Sequence, residues 1–245
     1  MKLQASNVSR SFGGVHAVQQ VSISAQAGDI VGLIGPNGSG KSTLLNLLDG
    51  TLRLDAGTVE LDGAAISTLS PMRIARRGVV RTHQQCRVFG ELTVEENVAL
   101  GLSATTPNTV SRFGTRSGSK IRRYVHEILR DFGLYEMRNR ECDELSYGRR
   151  RAVEIARAVA GRPKLLLLDE PVAGMNEAEV QEFAEMFRGL KEQGMGLLLI
   201  EHHVDFVMDL CSVVTVLNTG QTIAFGTPAE VRASDAVKAA YLGVS

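Results

Sequence analysis

Gly35-Pro36-Asn37-Gly38-Ser39-Gly40-Lys41-Ser42-Thr43 decides how this chain is read. The stretch contains GxxxxGK[ST], and its neighbours supply the context that the pattern requires. Ahead of it, Ile30-Val31-Gly32-Leu33-Ile34 is a fully apolar run that predicts a buried strand. Behind it, Lys41 to Leu48 predicts a helix ended by Gly50. In a strand–turn–helix, glycines let main-chain N–H groups turn inward around phosphate oxygens where side chains would clash. The helix N-terminus adds partial positive charge. Lys41 is expected to bring a point charge to the β- and γ-phosphates, and the Ser42 hydroxyl is a hard oxygen ligand for Mg²⁺. The stretch is therefore expected to bind ATP or a related triphosphate.

A second anchor lies far downstream, at Leu165-Leu166-Leu167-Leu168-Asp169-Glu170-Pro171. Short apolar runs such as Leu165–Leu168 and Leu197–Ile200 mark strands buried on both faces of a parallel sheet. An acid at the end of such a strand is placed to reach a Mg²⁺ shell, and the next carboxylate can hold an attacking water. Between the runs, Val180, Phe183, Phe187 and Leu190 fall at helical spacing. The opening segment, Leu3 to Val8 and Val15 to Ala25, alternates between turn signals and predicts antiparallel sheet, joined by Thr58–Leu61. Residues from about 92 to 159 are mostly helical in pattern, interrupted by a polar stretch from Ser103 to Ser119 that predicts a loop. Val213 to Leu217 and Thr222 to Phe225 flank Asn218-Thr219-Gly220 as a hairpin. Thr227-Pro228-Ala229-Glu230 is a capping box that opens a C-terminal helix. The order is α/β with two attachments.

Composition narrows the function classes. Twenty-seven basic and 27 acidic residues cancel, so nothing in the bulk charge points to nucleic acid or an anionic surface. Cys86, Cys142 and Cys211 are far apart and odd in number, which predicts reduced thiols rather than a metal or disulfide framework. The N-terminus shows no apolar signal segment, and no apolar run approaches the length of a bilayer span. A cytoplasmic protein is expected.

A third stretch, Leu145-Ser146-Tyr147-Gly148-Arg149-Arg150-Arg151, opens with a good helix N-cap and continues as a helix through Val159. Successive arginines on a helix point in different directions and cannot form one flat basic surface. With these three motifs in order, the chain resembles the nucleotide-binding subunit of ABC transporters over its whole length. The resemblance implies a P-loop NTPase core with a mainly parallel sheet. Residues 1–245 would form a single ATPase domain. An antiparallel β subdomain would take about 1–27 and 55–65, the core about 28–54, 66–85 and 160–245, and a helical subdomain about 86–159.

It also implies roles. Phe12 would stack on adenine, and Gln84, in Arg81-Thr82-His83-Gln84, would contact metal and water and couple to a membrane partner. Asp169 would join Ser42 at Mg²⁺, Glu170 would be the catalytic glutamate, and His202, in Ile200-Glu201-His202-His203, would contact the γ-phosphate. Ser146 and Gly148 would face the ATP of a second ATPase subunit in a head-to-tail dimer. The dimer would sit on permease subunits at the cytoplasmic face of the membrane, with a solute-binding protein if it imports.

Tyr147, Ala173-Gly174-Met175-Asn176, Arg81-Thr82 and Ala240-Tyr241-Leu242-Gly243 resemble the ATPases of branched-chain amino-acid importers. Three positions depart from the pattern. Arg149 stands where the family has glutamine, which places it near the partner's nucleotide, with Arg150 and Arg151 expected to meet acids of the helical subdomain or water. His83 stands where this subfamily more often has an aromatic, and Asn176 replaces an aspartate. The alternatives are another transporter's ATPase, serving a urea or amide importer or an exporter, a non-transport ABC ATPase, and a small-molecule kinase. The kinase reading leaves Ser146, Gln84 and His202 unused.

Overall fold

Apolar and polar residues alternate along the first 26 positions, and a computed structural model, which describes residues 1–102 and 118–242, folds them into a hairpin. Strand β1 (Lys2–Phe12) pairs antiparallel with β2 (Val15–Gln26) across the turn at Gly13-Gly14. After β3 (Ile30–Ile34) and helix α1 (Lys41–Leu48), strands β4 (Ala56–Leu61) and β5 (Ala64–Ala65) complete a four-stranded sheet in the order β2-β1-β4-β5.

Helix α2 (Pro71–Arg76) leads into a three-residue strand, β6 (Val79–Arg81). The chain then builds α3 (Val94–Gly101), α4 (Gly118–Asp131) and α5 (Tyr147–Ala160). It returns through β7 (Leu165–Asp169), α6 (Glu177–Glu192), β8 (Gly196–Ile200) and α7 (Val204–Leu210). The hairpin β9 (Val213–Asn218) and β10 (Gln221–Gly226) and the short helices α8 (Pro228–Ala233) and α9 (Asp235–Leu242) follow. The second sheet has the order β10-β9-β3-β8-β7-β6, parallel throughout except at its β9–β10 edge. The expected α/β class with a mainly parallel sheet is what forms.

Strands β3, β7 and β8 are buried at every residue, because each face of the sheet carries its own apolar layer. Leu166, Leu168, Leu197 and Leu199 pack with α3, α4, α5 and α6. Leu165, Leu167, Leu198 and Ile200 pack with α1 and the four-stranded sheet. The alternation that a continuous apolar run hides from the sequence is thus recovered as two cores. The expected stripe of α6 is buried at Val180, Phe183, Phe187 and Leu190. Most of the predicted polar loop from Ser103 to Ser119 lies outside the described residues. Four of the five parallel strands, β3, β6, β7 and β8, run into sequence motifs at their C-terminal ends, the edge at which open α/β sheets bind ligands.

Candidate nucleotide site

A cleft of about 580 Å³ opens at that edge, lined by Asn37 to Thr43 together with Gln84, Glu170, His202, Thr219 and Val15 to Ala17. Gly40 has φ +100°, and a Cβ there would lie 2.2 Å from the carbonyl oxygen of Ala17. Only glycine lets the turn pass this close to β2 before opening α1. Lys41 Nζ donates to the carbonyls of Gly35 (2.8 Å) and Pro36 (2.9 Å), so its ammonium is held back over the turn. Burial lowers the Lys41 pKa, while the negative charges of Glu170 and then Asp169 raise it, so both carboxylates act on this one ammonium.

Glu170 is gripped from two sides. Gln84 Nε2 donates to its Oε2 at 2.9 Å, and His202 Nε2 lies 2.7 Å from its Oε1. His203 is turned away and stacks on Phe206, with ring centroids 6.4 Å apart. Glu170 has φ +47°, a left-handed conformation unusual for a side chain with a Cβ. Its neighbour Asp169 is buried at the end of β7, and Arg81 Nη2 donates to its Oδ2 at 2.8 Å.

The remaining expected residues lie elsewhere. Phe12 is 43% exposed at the β1–β2 turn, under the Arg10 guanidinium at 4.9 Å, and does not line the cleft. Ser146 caps α5, its hydroxyl accepting from the Arg149 N–H at 3.4 Å. Gly148 is buried against α6, where a Cβ would lie 2.7 Å from Glu179 Oε1. Neither Ser146 nor Gly148 lines this chain's own cleft.

Three polar residues escaped the sequence reading. Glu201, buried at the end of β8, accepts from the N–H groups of Val172 (2.9 Å) and His202 (3.1 Å) and so joins the segment after Glu170 to the histidine turn. Burial raises its pKa, and those two N–H groups oppose the rise. Arg81 bridges α1 and β7. Arg151 was expected in the helical subdomain facing acids or water. It does meet Glu154 Oε2 at 2.6 Å, but it is wholly buried. It also donates to the carbonyls of His83 (2.5 Å), Asp169 (2.7 Å), Glu170 (3.3 Å) and Pro171 (3.4 Å). The signal was present in the spacing, since Gly148, Arg151, Ala152, Ile155, Ala156 and Val159 form a single buried stripe.

A model of the ABC transporter family matches residues 18–173. This chain belongs to the ABC transporter family. A second model, described as a branched-chain amino acid ATP-binding cassette transporter, matches residues 221–245 of this ABC ATPase. It is 38% identical to the high-affinity branched-chain amino acid transport ATP-binding protein BraF of Pseudomonas aeruginosa, covering 98% of this chain and 97% of that protein. It is 35% identical to the lipopolysaccharide export system ATP-binding protein LptB of Haemophilus influenzae, covering 98% and 97%. Among solved structures, the ADP conformation of MJ1267, an ATP-binding cassette of an ABC transporter, covers both chains fully with a TM-score of 0.87 and 33% identity.

Within this ABC ATPase, Arg149 does not extend freely from the helix. Its Nη2 pairs with Glu182 of α6 at 3.3 Å within the same chain. A neighbouring cation at the N-terminus of α5 is repelled by the helix dipole and drawn toward the acid-rich flank of α6. The main chain around Gln84 is also held by α5. His83 O accepts from Arg151, and the Arg87 N–H donates to Glu154 Oε1 at 3.2 Å. Arg157 donates to the Arg87 carbonyl. Among the described residues no helix is long and apolar enough to cross a membrane.

Proposed function

We propose that this ATPase powers import of branched-chain or other hydrophobic amino acids through permease subunits. The observation that carries this reading is the match of residues 221–245 to the branched-chain amino acid cassette model. The likeness to BraF supports the same cargo. Lipopolysaccharide export is the second reading, favoured by the full-length likeness to LptB.

Chemically, Glu170 acts as the general base for the attacking water, with Gln84 and His202 orienting its two oxygens. The turn from Gly35 to Thr43 binds the phosphates through its amides and Lys41. Mg²⁺ fits the donor set: Ser42 and Asp169 offer hard oxygens, and Asp169 Oδ1 takes no hydrogen bond from any described residue. Bound there with nucleotide oxygens, the ion would neutralise charge that develops on the phosphates.

Because Ser146 and Gly148 do not line their own chain's cleft, their amides serve the nucleotide of a second subunit, and ATP closes a head-to-tail dimer. Phe12, exposed beside the turn, takes the adenine ring. For the permease we propose a groove of about 530 Å³ that runs past Arg76, Val80, His83, Phe89 and Arg157. Exposed Phe89 gives it an apolar anchor in the groove that His83 also lines, on the cytoplasmic face of the membrane.

The experiment is reconstitution in proteoliposomes with the permease and solute-binding protein that co-purify with the chain. ATP-dependent uptake of labelled leucine supports the proposal. Partners that extract lipopolysaccharide and leave leucine outside support export instead.

A further inference from the structure

Arg81 is the last residue of β6, three positions before Gln84, and its guanidinium is almost fully buried. Its Nη1 donates to Asn46 Oδ1 at 2.6 Å and to Asp49 Oδ2 at 2.8 Å, both at the far end of α1. Its Nη2 donates to Asp169 Oδ2 at 2.8 Å. Asp49 is the C-cap of α1, where a carboxylate meets the negative end of the helix dipole. A planar fork reaches Asn46 and Asp49 through one nitrogen and Asp169 through another, a fixed spread that a compact ammonium does not reproduce.

The geometry matters because the residues that would hold Mg²⁺ come from different elements. Ser42 opens α1, and Asp169 ends β7. A cation seated between them requires that helix and strand keep a fixed spacing. Arg81 is the side chain that joins them, and it fixes one oxygen of Asp169 while leaving Oδ1 without a hydrogen bond from any described residue.

We infer that Arg81 is a positioning residue for the Mg²⁺ of MgATP, locking α1 to the Asp169 carboxylate so that the metal ligands stand ready before the ion arrives. The inference rests on the reading of Ser42 and Asp169 as Mg²⁺ ligands. Partners that orient a metal's ligands typically contribute about 10- to 100-fold in metal affinity or activity.

The test must separate geometry from charge, since removing an arginine alone makes the site more negative and attracts any cation. The charge-balanced double variant Arg81→Gln/Asp49→Asn does so, and Arg81→Lys keeps the charge while losing the fork. Binding of the fluorescent nucleotide TNP-ATP to the full chain is titrated in EDTA and then against Mg²⁺.

The expected result is unchanged affinity in EDTA and roughly a 10-fold rise, in both variants, in the Mg²⁺ needed for half-maximal tightening. Should the double variant fail to fold, Arg81→Lys alone decides. An unchanged or lowered Mg²⁺ requirement, beside a Mg²⁺-dependent parent, overturns the role of Arg81 alone. Loss of binding already in EDTA reduces Arg81 to a structural brace and also overturns it. A parent indifferent to Mg²⁺ overturns the metal reading, and this inference with it.

Discussion

Arg151 Nη2 donates to the main-chain carbonyl of Asp169 at 2.7 Å, so the helix capped by Ser146 is bonded directly to the end of the strand that leads into Glu170. The same guanidinium holds His83 O, one residue before Gln84. A single buried cation therefore ties together three segments distant in sequence, and any shift of α5 is felt at Glu170 and Gln84 alike.

Arg151→Met should destabilise the chain by about 3–5 kcal/mol, because Glu154 is left buried without its counter-charge. Urea unfolding monitored by circular dichroism measures this. A loss below about 1 kcal/mol would show that water replaces the guanidinium at little cost.

Glu170→Gln should bind ATP as the parent does while hydrolysis falls by about 10²- to 10⁴-fold, the range that a general base contributes. His202→Ala removes the contact at 2.7 Å and should lower turnover with little change in ATP affinity. Parental turnover in Glu170→Gln would remove the base assignment.

Lys41→Ala should weaken ATP binding by at least about 10-fold, since a charge-assisted hydrogen bond is worth roughly 1.5–3 kcal/mol. Titration calorimetry reads it, and an unchanged dissociation constant would contradict the phosphate role.

Arg149→Gln restores the residue more usual in the family and breaks only the half-exposed pair with Glu182. Stability should change by less than about 1 kcal/mol, as for other exposed pairs. A thermal shift equal to that of Arg151→Met would instead make Arg149 part of the core.

Glu201 offers a test by pH. Its folded-state pKa is raised above the ordinary 4.5, so the folded chain binds more protons than the unfolded one over the interval between the two values. Stability relative to Glu201→Gln is therefore highest below 4.5 and declines as pH rises toward the elevated value. Denaturant midpoints of both proteins across that range check the sign, and a difference independent of pH would contradict it.

Much of this site is written in plain spacing. Gly35 to Thr43, Asp169-Glu170 and Glu201-His202 each sit at the end of an apolar run, because a parallel sheet delivers its loops to one edge. What the spacing hides are the residues that work through long-range bonds. Arg81 meets partners 35, 32 and 88 positions away, and only the strand order brings them together. For Arg149, the motif specifies where its helix begins but not that Glu182 on the opposing helix will pair with it. Arg151 could have been found by asking why a charge fell on the apolar stripe of α5.

The left-handed backbone of Glu170 is held against its own preference. A residue with a Cβ in that conformation costs about 1 kcal/mol relative to glycine, which adopts it freely. Glu170→Gly relieves that strain but also removes the bonds to Gln84 and His202 and the charge that faces Lys41. The contacts of its side chain thus hold a backbone shape that glutamate would not choose at an isolated turn.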